Sequence, residues 1–263
     1  MKSFLILLLG VLVLSCKEPA PHFKRIVAFG DSFTDDGSSD GQGFNRISNG
    51  KVWVEYLADM LHADLDDRAW GGAKTDSTHV SGMPWSGFLW QVEQYEASED
   101  PGHNLYTVWL GVNDFWDGKG DVNRSVENIR KGLIKLMAKK AGAIVIMNAF
   151  DPALAPAYAT DSTTRAMIPA VQKQYSEFNR QLSSMLFDDQ TGISKQYPEL
   201  RLYFIDIDAF MKEQAKAYKI TDKQWLGTRQ FPTEDGYLWF DDFHPMTSCH
   251  RGIGELVFGR VNR

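Results

Sequence analysis

The sequence predicts an α/β protein built on a mainly parallel sheet with helices on both faces. Candidate strands and helices alternate along the chain, and the strands are unbroken apolar runs rather than alternating ones. Strands of that kind are buried on both sides. In such sheets ligands bind beyond the carboxyl ends of the strands. Here polar or glycine-rich segments carrying Ser32, Gly71-Gly72 and Asn113 follow the first three candidate strands.

The first strand is Ile26-Val27-Ala28-Phe29, short, β-branched and aromatic, followed by a loop over 34–50 rich in Gly, Ser, Asp and Asn. Lys51 to Leu61 carries Val52, Trp53, Tyr56, Leu57 and Met60 at helical spacing. Asp66 to Trp70 is a weak second strand, and Ser86 to Ala97 is expected to be helical. Leu105 to Leu110 is a clear strand stopped by Gly111. An amphipathic helix is expected over Asn123 to Lys140, with Val126, Ile129, Leu133, Leu136 and Met137 on one side. Strands at Ala143 to Asn148 and Leu200 to Ile207 follow, separated by a loop over 151–163 and a helix from Ile168 to Phe187. Helices over Asp208 to Tyr218 and Thr247 to Val261 complete the chain. No internal repeat or interdomain linker interrupts it.

The 263 residues suffice for one large domain, and 43% hydrophobic residues allow a sizeable core. A formal charge of −6 argues against a nucleic-acid partner, which would need a basic field. Arg130, Lys131, Lys135, Lys139 and Lys140 read as a solvated helix face. Met1-Lys2, the apolar run Phe4 to Leu14 and the polar Lys17 to Pro21 form an export signal too short for a stable membrane span. Val13-Leu14-Ser15-Cys16 resembles a bacterial lipobox. Residues 1–15 are then a signal peptide, 16–23 a tether from a lipidated Cys16, and 24–263 the folded domain. The plainer alternative is an ordinary cleaved signal that happens to hold a cysteine. The expected location is a membrane-anchored lipoprotein of the bacterial envelope, or otherwise a periplasmic or secreted protein. Cys16 and Cys249 allow one disulfide at most; with Cys16 lipidated, Cys249 is expected to pack as a small apolar residue. The six histidines show no metal-ligand spacing, so no metal is expected.

Gly30-Asp31-Ser32-Phe33-Thr34 puts a serine at the end of a core strand. A serine hydroxyl is a weak nucleophile until a base takes its proton. Asp241-Asp242-Phe243-His244-Pro245 supplies an imidazole, the side chain whose ordinary pKa lies near neutrality. A carboxylate must hold that ring in one tautomer. Asp241, three residues before His244, can reach back to it, whereas Asp242 is expected to point away. The oxyanion of a tetrahedral intermediate needs preorganised donors. The N–H groups of Ser32 and Gly72 and the side-chain amide of Asn113 are the candidates. No cofactor is needed.

Four separated segments therefore stand in order: Phe29-Gly30-Asp31-Ser32, Gly71-Gly72-Ala73, Gly111-Val112-Asn113-Asp114 and Asp241-Asp242-Phe243-His244-Pro245. Together they resemble the GDSL esterase/lipase family, the SGNH hydrolases, over about residues 24 to 260. Ser48-Asn49-Gly50-Lys51-Val52-Trp53 and Phe178-Asn179-Arg180-Gln181-Leu182 are similar too, and Phe33 stands where the family usually has leucine. The resemblance implies a three-layer α/β/α sandwich of flavodoxin-like type. It also implies a Ser32–His244–Asp241 triad and an oxyanion hole of Ser32, Gly72 and Asn113. Either Gly71 or Gly72 fits the second donor, and Gly72 aligns better with the family's block. The subgroup most resembled is that of bacterial phospholipases, lysophospholipases and acyltransferases. The expected function is thus an exported serine ester hydrolase acting on a small-molecule or lipid ester. A glycan-deacetylating esterase and a catalytically silent lipoprotein binding module are the alternatives. Met83-Pro84-Trp85, Phe88 and Phe115-Trp116 are read either as an acyl groove or as core packing.

Overall fold

The computed structural model describes residues 22–38, 46–160, 162–226 and 236–262. Five strands form its central sheet: β1 (Arg25–Gly30), β2 (Asp64–Asp67), β3 (Asn104–Trp109), β4 (Ala143–Met147) and β5 (Arg201–Ile205). Their order is β2-β1-β3-β4-β5, and every neighbouring pair is parallel. Around the sheet lie α1 (Trp53–Leu61), α2 (Phe88–Gln94), α3 (Val112–Phe115), α4 (Val122–Ala138), α5 (Pro156–Thr160) and α6 (Ser162–Phe187). The last three are α7 (Ile193–Gln196), α8 (Ile207–Ala217) and α9 (Thr247–Val261). One helical layer joins α1, α8 and α9; the other joins α2, α4 and α6. The fold is therefore the α/β/α sandwich that the sequence predicts.

The strand order reverses direction between β1 and β3, so a crevice opens at their carboxyl ends. Gly30 pairs with Trp109, which brings those two ends level. Every residue of β3 and β4 is buried, as their unbroken apolar runs require. The helix over α4 forms because Val126, Ile129, Leu133 and Leu136 fall on one face. The Asp121 carboxylate caps it by accepting the Arg124 N–H at 3.1 Å.

Several elements differ from expectation. β2 lies at 64–67 rather than 66–70, because a polar edge strand leaves little apolar signal. The chain beyond it still runs beside β1, with Arg68 N–H donating to Ala28 O and Trp70 N–H to Gly30 O. The segment expected as a loop over 151–163 contains α5, which begins at Pro156, where a missing N–H costs a helix nothing. Helix α6 begins at Ser162 rather than Ile168 and runs through Pro169. Finally, β6 (Ile220–Gln224) and β7 (Tyr237–Trp239) form a separate parallel pair, not foreseen. It matters because β7 leads directly into Asp241. The loop that follows is closed by Phe240 N–H to His244 O (2.8 Å) and Met246 N–H to Leu238 O (2.9 Å).

The end of β1 is fixed by a buried amide. Gly30 N–H donates to Gln91 Oε1 (3.1 Å), and Gln91 Nε2 donates to the carbonyls of Gly30 and Ser86 (both 2.8 Å). Replacing it, as in Gln91→Leu, deprives these groups of a buried partner at a cost of roughly 1–3 kcal/mol. Calorimetry should show a midpoint several degrees below wild type; an unchanged midpoint would mean the clasp contributes nothing.

Candidate active site

Ser32 sits in a tight turn just after β1, where Thr34 N–H and Asp35 N–H both donate to Asp31 O at 3.0 Å. The turn aims its hydroxyl over the crevice, and Ser32 Oγ lies 2.7 Å from His244 Nε2. On the other side of the ring, His244 Nδ1 lies 2.9 Å from both oxygens of Asp241. A ring nitrogen facing a carboxylate carries the proton, which leaves Nε2 to accept from the serine hydroxyl. Asp241 also accepts the N–H groups of Phe243 (2.8 Å) and His244 (2.7 Å). Burial pushes this carboxyl up, but the His244 ring and the two N–H groups outweigh it, and the net shift is downward. The Asp242 carbonyl accepts the Ala157 N–H at 3.0 Å, and the ring's partner is Asp241.

Asn49 and Tyr56 hold the base from behind. Asn49 Oδ1 accepts the Thr247 N–H at 2.8 Å, Thr247 Oγ1 donates to Lys51 O at 2.7 Å, and the Tyr56 hydroxyl lies 2.9 Å from that Oγ1. The Ser48–Trp53 segment thereby ties the start of α9, just past His244, to α1.

The donors assemble on the opposite wall. Gly71 N–H is taken up by Asp35 Oδ2 at 2.7 Å, whereas Gly72 lines the cavity beside Ser32 and Asn113. Gly72 has φ +76°, and a Cβ there would lie 2.1 Å from His79 Nε2, so only glycine fits. Asn113 Nδ2 donates to Ala73 O at 3.0 Å, leaving its second hydrogen available. Asp114 locks the two segments together by accepting Thr75 Oγ1–H (2.6 Å), Thr75 N–H (3.0 Å) and Ser125 Oγ–H (2.8 Å). Gly111, with φ +130°, has Phe178 Cζ 2.9 Å from where a Cβ would stand.

The site opens into a cavity of about 350 Å³. Its inner wall is Phe33, Phe150, Ala155, Tyr158 and Tyr175, all buried, and its rim is Val80, Trp116 and Phe243, all exposed. Phe33 also packs on the His244 ring, with centroids 5.4 Å apart. Of the aromatic residues read as a possible groove, Trp116 alone lines the cavity. Trp85 packs against Trp70 and Trp90, while Phe88 and Phe115 are wholly buried. Sequence reasoning missed Phe150, Tyr158 and Tyr175, which lie outside the four motifs, and Phe243, which stands inside the last one beside His244 and was the one signal at hand.

Elsewhere, Asp35, Asp36 and Asp67 converge to within 4.8 Å. Their carboxylates accept neighbouring N–H groups, Gly71, Gly37, Ser38, Asp36 and Ala69 among them. Cys249 is buried in α9, its Sγ 3.8 Å from Met211 Sδ, and burial lifts its thiol to about 12. Cys16 lies outside the described residues.

A family model described as GDSL-like Lipase/Acylhydrolase matches residues 26–257. The chain belongs to that family. As a GDSL hydrolase it is an ester-hydrolysing enzyme. It is 26% identical to the thermolabile hemolysin of Vibrio parahaemolyticus, over 92% of this chain and 64% of that protein. The chain thus spans just under two thirds of the hemolysin's length. It is 24% identical to the phosphatidylcholine-sterol acyltransferase of Aeromonas hydrophila, over 97% of this chain and 96% of that protein. Among solved structures, a catalytic mutant of an acetylxylan esterase from Geobacillus stearothermophilus superposes with a TM-score of 0.55 at 14% identity, covering 91% of this chain and 94% of that one. A member of the lipolytic G-D-S-L family from Veillonella parvula gives 0.54 at 15% identity, covering 89% and 96%. At these identities the likeness is one of fold.

The GDSL aspartate has an unusual environment. Asp31 is fully buried; its Oδ1 accepts the Phe33 N–H at 3.1 Å and its Oδ2 has no partner among the described residues. Burial drives its pKa upward; the Phe33 N–H partly offsets this, the Asp114 and Asp35 carboxyls add to it, and the result is about 8. A neutral carboxyl here places no anion beside the serine. Since an unfolded aspartate titrates near pH 4, the native state gains a proton relative to the unfolded chain between about pH 4 and 8. Its stabilising contribution is complete below that window and lost as pH rises through it. A denaturation series should therefore show wild-type stability falling more steeply across the window than that of Asp31→Asn; parallel slopes would refute the linkage.

Proposed function

We propose that this GDSL hydrolase cleaves carboxylic esters of apolar acyl groups, as a lysophospholipase or phospholipase A does, through an acyl-serine intermediate. One observation carries the substrate class: among the described residues the cavity lining is mostly carbon, and apart from the Trp116 indole and two tyrosines its polar side chains are Ser32, Asn113 and His244, those of the chemistry itself. The two tyrosines beside them have their hydroxyls engaged by backbone carbonyls, Tyr158 by Trp116 O (2.9 Å) and Tyr175 by Val112 O (3.2 Å). An acyl chain is well served by such a wall, gaining roughly 0.8 kcal/mol per buried methylene. A sugar ring would lose hydrogen bonds to water there without replacement.

In this reading Ser32 Oγ attacks the ester carbonyl as its proton passes to His244 Nε2. Asp241 keeps the ring oriented and stabilises the imidazolium. The carbonyl oxygen becomes an oxyanion held by the N–H groups of Ser32 and Gly72 and by Asn113 Nδ2, each donor contributing on the order of 3 kcal/mol to the barrier. The intermediate collapses as His244 protonates the departing alcohol. Water, deprotonated by His244, then attacks the acyl-serine and releases the acid. A bound alcohol such as a sterol takes the acyl group by the same step, which supports an acyltransferase side activity.

The sequence before the described residues supports a location to match. A lipid on Cys16 would tether the enzyme to an envelope membrane, beside insoluble esters. In a bacterial host, Cys16→Ala should move the protein from the membrane to the soluble fraction; an unchanged distribution would exclude the tether.

Ser32→Ala should abolish turnover of p-nitrophenyl esters and labelling by a fluorophosphonate while melting like wild type. Retained turnover would reject the serine assignment. Across an ester series, wild type should prefer medium or long chains, and a strict preference for acetyl would transfer the assignment to glycan deacetylation.

A further inference from the structure

A second cavity, also of about 350 Å³, lies behind the first. The two share only Pro152 and Tyr175 in their linings. Their characters are opposite. Where the first is walled by carbon, the second is lined by Asp151, Gln172, Asp206, Asp208 and Lys212 among others. These groups already satisfy one another. Gln172 Nε2 donates to both oxygens of Asp151 (3.0 Å), Lys212 Nζ pairs with Asp208 (2.6 Å), and Asn148 Nδ2 donates to Asp206 (2.9 Å). The second cavity is therefore a polar basin without an unmet ligand, and the structure places one aromatic ring between it and the acyl cavity.

We infer that Tyr175 is the specificity-determining residue of the acyl site, its ring forming the end wall that limits acyl-chain length. This rests on the proposed apolar-ester activity. The ring is well placed for the task. Tyr175 is 5% exposed, its hydroxyl is anchored on Val112 O at 3.2 Å, and its edge meets the buried Phe115 ring at 5.8 Å. It cannot swing aside without breaking the anchor and that packing. A chain entering past the exposed rim meets a rigid carbon surface and, beyond it, polar space that returns no gain for further methylenes. Removing the ring opens a hollow backed by Phe115, and a longer chain can fill it before reaching the basin.

The experiment measures kcat/KM over p-nitrophenyl esters from acetyl to palmitoyl for wild type and three variants. Tyr175→Ala should shift the optimum to longer chains, with a roughly three- to four-fold gain for each methylene accommodated in the vacated space. Tyr175→Leu removes less volume and keeps an apolar wall; it should shift the optimum the same way by less, and serves where the alanine variant does not fold. Ala155→Leu, filling the inner wall, should shift it to shorter chains. A merely structural tyrosine would lower every ester alike and leave the optimum in place. An unmoved optimum in folded Tyr175→Leu and Ala155→Leu overturns this inference alone. Absence of any ester turnover by wild type overturns the activity and this inference with it.

Discussion

The contact on which the site depends is the 2.7 Å hydrogen bond between Ser32 Oγ and His244 Nε2, which joins residues 212 positions apart. Neither partner can be held by its local segment alone. The serine is placed by the end of β1, an interior strand of the sheet. The histidine comes from a short loop after β7 that no strand of the sheet contains. Closing such a distance requires both ends to be anchored independently. Gln91 grips the Gly30 peptide on one side, and Asn49, Lys51 and Tyr56 hold Thr247 on the other. Because α1 packs against α9, the second anchor lies within one helical layer, whereas Gln91 reaches Gly30 from α2 in the other.

The candidate oxyanion donors are positioned by the same kind of cross-linking. Asn113 and Asp114 are neighbours with complementary tasks: the amide grips Ala73 O while the carboxylate grips Thr75. The glycine loop is thus clamped to the segment after β3 at two points. Asn179 makes a similar clasp one strand further on, with its amide donating to Ala149 O (2.7 Å) and accepting from Ala149 N–H (2.9 Å). Side-chain amides thus take the place of a missing strand neighbour where the chain leaves the sheet. Preorganisation of this sort lets donors stabilise developing charge without first having to rearrange.

Much of this was legible in the sequence, for identifiable reasons. Strands β1, β3 and β4 are buried on both faces, so their composition alone marks them. The four motifs follow strand ends or lie in the last loop, and the sheet topology then brings them to one edge. What stayed hidden obeys different physics. Strand β2 is polar because it is an edge, and β6 and β7 are too short and irregular to show a period. Helix α6 continues through Pro169, which a sequence reading takes as a boundary. The engagement of the Gly71 N–H by a distant carboxylate, Asp35, was equally invisible to local pattern. The cavity wall came from Phe150, Tyr158 and Tyr175, whose convergence depends on tertiary packing rather than on any local pattern.

Cys249 carries a consequence of a different order. Its thiol is fully buried among apolar neighbours and resists ionisation up to about pH 12, so alkylating reagents find no thiolate in the native state. They react when the last helix detaches, and that helix is the one that follows His244. The rate of alkylation is therefore a clock for opening of the α1–α9 layer, read from a single sulfur atom that the chemistry never uses.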